Sequence, residues 1–63
     1  MAKDEGVLRA DLELARYTAA ATRRNLKHAS PELVGYWLHE LEEVNREVAR
    51  LERELATLSE ASS

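Results

Sequence analysis

Side chains that could bind a metal ion occur together near the middle of the chain. His39 precedes Glu42 by three residues and Glu43 by four, so all three would lie on one face of a helix. A structural zinc site takes a full tetrahedral set of ligands, and the other histidine, His28, lies well apart in the sequence. The periodicity of the surrounding apolar residues also directs His39 away from the core. We therefore expect no metal site and no cofactor.

Residues for catalysis are not arranged in any recognisable pattern. The sequence offers no nucleophile with a nearby base and acid, no glycine-rich phosphate loop and no pair of carboxylates in an apolar setting. Cysteine is absent, which excludes disulfide bonds. We expect that the protein is not an enzyme.

Positive charge is concentrated in the first half of the chain. Residues 1–30 contain six Lys or Arg and four Asp or Glu, whereas residues 31–63 contain three and eight, within a net charge of −3. Cations clustered on a helix can contact nucleic-acid phosphates. The candidate contacts are Arg16, Arg23, Arg24 and Lys27. The negative net charge and the interrupting acids Asp11 and Glu13 favour a solvated charged face instead.

The aromatic residues Tyr36 and Trp37 directly follow Gly35 in the second half of the chain. A glycine inside a helix costs about 1 kcal/mol relative to alanine. A partner helix or peptide that approaches closely at Gly35 would explain its presence. The alternative interpretation is that Trp37 is an ordinary core residue opposite small side chains.

Composition and length predict a single small all-α domain spanning residues 1–63. The chain contains two glycines, one proline and no phenylalanine, and is rich in Ala, Leu, Glu and Arg. Ser30-Pro31-Glu32 is a typical helix start, because serine can cap free amides and proline suits the first helical position. We predict an antiparallel helical hairpin with a first helix over about 4–28, a second over about 31–59, and frayed ends at 1–3 and 60–63.

Each predicted helix carries an apolar stripe that the other helix can cover. Large apolar residues of the second helix step by threes and fours over more than three heptads. The first helix has a matching stripe of smaller residues, and counting from the bend sets Leu51 opposite Leu8. The predicted seam between the helices consists of Leu8, Leu12, Ala15, Ala19, Thr22, Leu26, Val34, Trp37, Leu41, Val44, Val48 and Leu51.

A second apolar stripe on the first helix has no counterpart within the hairpin. This outer stripe consists of Val7, Ala10, Leu14, Tyr17 and Ala21. Together the two stripes are wider than the roughly 100° of an ordinary surface helix, so one partner helix cannot cover both. We expect a second protomer or another protein to dock there and on Leu55 and Leu58. The alternative is that these are scattered exposed apolar residues, which are normal on soluble proteins.

Two rows of like charge flank the seam at heptad spacing. The arginine row is Arg9, Arg16 and Arg23, and the glutamate row is Glu40, Glu47 and Glu54. Within the hairpin the arginine row should face Leu38, Asn45 and Glu52, which leaves both rows partly unmatched. We hypothesise that the arginine row of one hairpin meets the glutamate row of another in a dimeric antiparallel four-helix bundle. The alternative is two solvated faces, since exposed ion pairs contribute little.

The function expected from these features is association rather than catalysis. No apolar run is long enough for a membrane span or a signal peptide, so we expect a soluble cytoplasmic protein without membrane contacts. A lone hairpin of this size is marginally stable, and oligomerisation is a common solution. We predict a homo-oligomer, with a dimer favoured, that binds a protein of unidentified type as an adaptor, inhibitor or regulatory subunit. The alternatives are a nucleic-acid-binding bundle and a purely structural oligomerisation module.

Overall fold

The protein is a hairpin of two long antiparallel helices joined by a short 3-10 turn. In the computed structural model, which describes residues 4–62, helix α1 spans Glu5–Lys27, the 3-10 turn spans Pro31–Leu33, and helix α2 spans Val34–Ser62. The molecule measures 48 × 19 × 14 Å, so it is a single layer of two helices. No strand is present between residues 4 and 62, and the predicted all-α hairpin is confirmed.

Helix α1 begins where an acidic side chain can cap it. The Oδ1 atom of Asp4 accepts a hydrogen bond from the Val7 N–H at 2.9 Å, and Glu5 places a second negative charge in the first turn. Both negative charges interact favourably with the positive end of the helix dipole. At the other end the His28 N–H donates to the Arg24 carbonyl at 3.3 Å. The helix therefore ends at Lys27, one residue before the expected boundary.

The bend differs from the sequence prediction in how it is capped. The Ser30 side chain forms no capping hydrogen bond, which corrects the role expected for its hydroxyl. Instead the Ser30 carbonyl accepts a hydrogen bond from the Leu33 N–H at 2.9 Å, which produces a 3-10 turn before α2. A capping serine would have bonded that same amide, so the backbone contact replaces the side-chain cap. Helix α2 then continues to Ser62, beyond the expected end near residue 59.

The core of the hairpin is thin and lies toward the end away from the bend. Leu8, Leu12, Ala15 and Leu51 form its buried centre, with Leu8 and Leu51 at 2% and 1% exposure. All four belong to the predicted seam. Around this centre Val48, Leu55 and Leu58 are partly buried. Leu55 and Leu58, which were expected at an interface with another chain, thus pack against the core of their own hairpin.

Toward the bend the buried residues on the α1 side of the seam are small, and Leu26 is half-buried. Ala19 and Thr22 are buried, and the Thr22 hydroxyl is satisfied by donating to the Thr18 carbonyl at 2.8 Å. The seam residues of α2 in this part of the hairpin are only half-buried, because α1 covers them on one side only. These residues are Val34, Trp37, Leu41 and Val44.

The hairpin exposes more surface than a compact monomer of its mass. Its accessible surface is 4900 Å², whereas a globular monomer of 7.1 kDa exposes about 4,100 Å². The excess is about 800 Å². Neither helix, over the residues the structure describes, is long and apolar enough to cross a membrane.

Candidate interaction surface

The outer stripe of α1 is an apolar feature that the hairpin leaves open to solvent. Leu14 and Tyr17 are 66% and 68% exposed and Val7 is 45% exposed. Ala10 is exposed and Ala21 is half-buried. These positions are spaced by threes and fours, so they form one continuous strip along the helix.

An open apolar groove adjoins the outer stripe between the two helices. It has a volume of about 360 Å³. Its floor is formed by Ala15, Val44 and Leu51, and its edges by Leu14 and polar residues. We call it the Leu14 groove, and its lining residues are Asp11, Leu14, Ala15, Thr18, Glu43, Val44, Glu47 and Leu51. Leu14 therefore belongs both to the stripe and to the groove.

The arginine row lies on the opposite side of the hairpin. Arg9 and Arg16 line a second groove of about 440 Å³ with Leu12, Glu13 and Leu55. Successive residues of a helix are rotated by about 100°, which puts Arg9 and Arg16 across the helix from Leu14. The two grooves thus define a front side, with the outer stripe, and a back side, with the arginines.

The arginine row contacts the second helix through Arg16. The Nη2 atom of Arg16 lies 2.9 Å from Oε2 of Glu52, and both side chains are more than half exposed. Arg9 instead pairs with Glu5 of its own helix at 3.3 Å. The register that sets Leu51 opposite Leu8 would place Glu52 opposite Arg9 and Asn45 opposite Arg16, so the observed ion pair lies one heptad away from the expected one.

Two members of the glutamate row form ion pairs with one arginine of their own helix. Arg50 donates to Glu47 and also to Glu54, the latter at 2.6 Å. The hydrogen bonds and charge of Glu47, with a smaller contribution from Glu54, raise the pKa of Arg50 above its ordinary value. Glu47 lines the front groove, so the glutamate and arginine rows lie on opposite sides of the hairpin. Matching them between two copies would need the front of one against the back of the other.

That geometry affects how copies could assemble through charge alone. A closed twofold pair buries the same patch of both copies, whereas a front-to-back contact is heterologous and can continue indefinitely. The row-to-row hypothesis thus points to an open stack. A closed dimer must rely on one side only, and the front side carries the apolar surface.

The candidate nucleic-acid contacts lie on the surface, and one of the four is paired with an acid. Arg16 is already paired with Glu52. Arg23, Arg24 and Lys27 are exposed toward the end of α1. No basic groove is formed around them by the neighbouring helix in the described contacts, because α2 is rich in Glu.

The histidine considered for metal binding lies on the surface. His39 Nε2 is 3.7 Å from Glu43 Oε1, and both side chains are more than half exposed. Within residues 4–62 no group of three or more His, Asp or Glu side chains is placed to hold a metal ion. The His39–Glu43 contact is an ordinary i,i+4 pair.

The aromatic cluster at the bend forms a small exposed patch. The rings of Tyr36 and Trp37 meet edge to face with centroids 4.9 Å apart. A Cβ atom added to Gly35 would have no neighbour within 4 Å, so the hairpin itself does not need a glycine there. Tyr36 and Leu33 are about half exposed. Leu33 lies at the end of the 3-10 turn, and the sequence pattern gave no signal for its exposure.

The Leu14 groove was also missed, although one signal for it was present in the sequence. Glu43 and Glu47 lie one helical turn apart, next to the seam residue Val44. Opposite them Asp11 and Thr18 border Ala15, a seam residue too small to fill the space. The short Ala15 side chain leaves the space between the helices unfilled, and the polar residues on both helices do not fill it either. This unfilled space is the Leu14 groove.

Comparison with known proteins gives no further indication of function. The chain matches no protein family, no curated protein and no solved structure. Its function must therefore be inferred from its own surface.

Proposed function

We propose that this chain is a non-enzymatic, self-associating interaction module, and that the outer stripe of α1 is its docking surface. The observation that carries the proposal is the two-thirds exposure of both Leu14 and Tyr17 in one continuous apolar strip. Solitary exposed apolar residues are common, but a regular strip beside an open apolar groove is typical of protein contact sites. Adaptor, inhibitor and regulatory roles all need no more than such a surface.

The size of the exposed surface supports the proposal. The excess of about 800 Å² over a compact monomer matches what one partner buries in an interface of standard size. Full burial of a leucine contributes about 1.5–3 kcal/mol, and an aromatic ring offers 150–250 Å² of contact area. Burial of Val7, Leu14 and Tyr17 would add substantially to a core that has five buried apolar residues among those described.

Sedimentation of the full chain over a micromolar to millimolar range tests the proposal. We expect concentration-dependent association in the unmodified protein and its loss in Leu14→Glu. The matched control is Leu38→Glu, because Leu38 is an exposed leucine of α2 that lies outside the outer stripe. Both variants should keep the helical circular dichroism of the parent. The assignment of this surface would be refuted if the unmodified protein stayed monomeric at every concentration. It would also be refuted if Leu14→Glu and Leu38→Glu weakened association equally.

A further inference from the structure

We infer that the docking partner of the outer stripe is the same stripe of a second copy, laid antiparallel, with a twofold axis at Leu14. This inference rests on the proposed function and gives it a geometry. The resulting order of helices is α2, α1, α1 of the partner and α2 of the partner. Both copies use the front side of α1, so the interface is closed and buries one patch twice.

The order of residues along the stripe is self-complementary about Leu14. In an antiparallel pair centred there, residues equally distant from Leu14 face each other. Val7 then meets Ala21 of the partner subunit, and Leu14 meets its own counterpart. Tyr17 falls beside Ala10 of the partner subunit, within one residue. Large side chains therefore meet small ones on both sides of the central Leu14 pair, which is what close packing requires.

A parallel arrangement lacks this complementarity. It would set each residue opposite itself, so that Tyr17 meets Tyr17 and Ala21 meets Ala21. Such a strip would be overfilled at one level and empty at the next, and both conditions weaken packing.

The charges at the ends of α1 favour the same orientation. It begins with the N-cap Asp4 and with Glu5, which also pairs with Arg9, and its last turn contains the basic residues Arg24 and Lys27. An antiparallel pair places the acidic turn of each copy beside the basic turn of the other, at both ends of the interface. A parallel pair would place like charges together at each end.

One side chain opposes the pairing and so gives a sensitive test. Glu13 lies between the outer stripe and the back groove, three residues after Ala10 and four before Tyr17. A twofold axis at Leu14 brings Glu13 close to its own counterpart. Removing this charge should strengthen the pair, whereas removing a charge of α2 outside the interface should not.

Single-cysteine variants determine the orientation directly, because the chain has no cysteine of its own. We expect Leu14→Cys to form a disulfide-linked dimer under mild oxidation, roughly tenfold or more faster than a Leu38→Cys control, since paired thiols react at high effective concentration. Val7→Cys and Ala21→Cys should link slowly when each is alone. An equimolar mixture of these two should give the mixed dimer preferentially.

The outcomes separate this geometry from the proposed function. Association in sedimentation with rapid self-linking of both Val7→Cys and Ala21→Cys would overturn the antiparallel pair and leave self-association standing. A monomer that never links faster than the control overturns both. Should Leu14→Cys fold poorly, the mixture of the other two variants still decides the orientation.

Glu13→Gln provides an independent measurement of the same axis. We expect the dissociation constant of Glu13→Gln to be several-fold lower than that of the parent protein. The difference between the two proteins should shrink at high salt, because salt screens the repulsion between the Glu13 side chains. The matched control is Glu42→Gln, which removes the same charge from the exposed face of α2. Equal effects of the two substitutions, or weaker association of Glu13→Gln, would contradict an axis at Leu14.

Discussion

The substitution of Gly35 by alanine should stabilise the protein, and its effect can be worked out from the structure. Gly35 lies in the first turn of α2, directly after the 3-10 turn, with negative φ. An added Cβ atom would meet nothing within 4 Å, so no steric cost opposes the change. Glycine is about 1 kcal/mol less favourable than alanine inside a helix, mainly because it loses more backbone freedom on folding.

Gly6 provides a matched comparison within the same chain. It also lies in the first turn of a helix, but a Cβ atom there would be 3.3 Å from the Oδ1 atom of Asp4. That oxygen caps α1 through its hydrogen bond to Val7. Gly6→Ala must therefore displace the cap by a few tenths of an ångström, and we expect it to gain less than Gly35→Ala.

Thermal unfolding at fixed protein concentration measures both effects. A gain of about 1 kcal/mol raises Tm by roughly 4–8 °C in a domain of this size. Concentration must be held constant, because association couples Tm to the amount of protein. An unchanged or lower Tm for Gly35→Ala would refute the reasoning, and would indicate that another chain approaches Gly35 in the assembled protein.

Two further predictions concern polar contacts of the hairpin. A double-mutant cycle between Arg16→Ala and Glu52→Ala, followed by urea unfolding, should give a coupling free energy below about 1 kcal/mol, because both side chains are more than half exposed. The coupling should decrease with added salt. A coupling several times larger would mean that the pair is shielded from water. Asp4→Ala should lower the free energy of unfolding by about 1 kcal/mol, because the cap on the Val7 amide is lost. Asp4→Asn should retain most of this stabilisation, because the asparagine oxygen can accept the same hydrogen bond. Equal losses in the two variants would show that charge, and not the hydrogen bond, matters at this position.

The fold could be predicted from sequence because its determinants are local and periodic. The heptad pattern fixed which face of each helix points inward, and the short connection at Ser30 made the helices antiparallel neighbours, so that Leu8, Leu12, Ala15 and Leu51 share one core. The capping of the bend could not be predicted in the same way. A side-chain oxygen and a backbone carbonyl of Ser30 compete for one amide, and sequence alone does not show which is bonded.

The candidate surface was predicted only in part. Periodicity identified the outer stripe, since Leu14 and Tyr17 fall outside the seam of α1 whatever the exact packing. The Leu14 groove and the separation of the two charge rows depend on the distance and relative rotation of the helices. Those quantities arise from side-chain packing across the seam and were therefore visible only in three dimensions.

The position of the only tryptophan makes the hairpin its own optical probe. Trp37 is half-buried at the bend end, in edge-to-face contact with Tyr36, whereas the outer stripe lies on the far flank of α1. Its fluorescence emission therefore reports whether the two helices are closed upon each other, and is little affected by the arrival of a second chain at Leu14. Folding and assembly can thus be followed by separate signals, emission for the first and hydrodynamic size for the second, without attaching a dye.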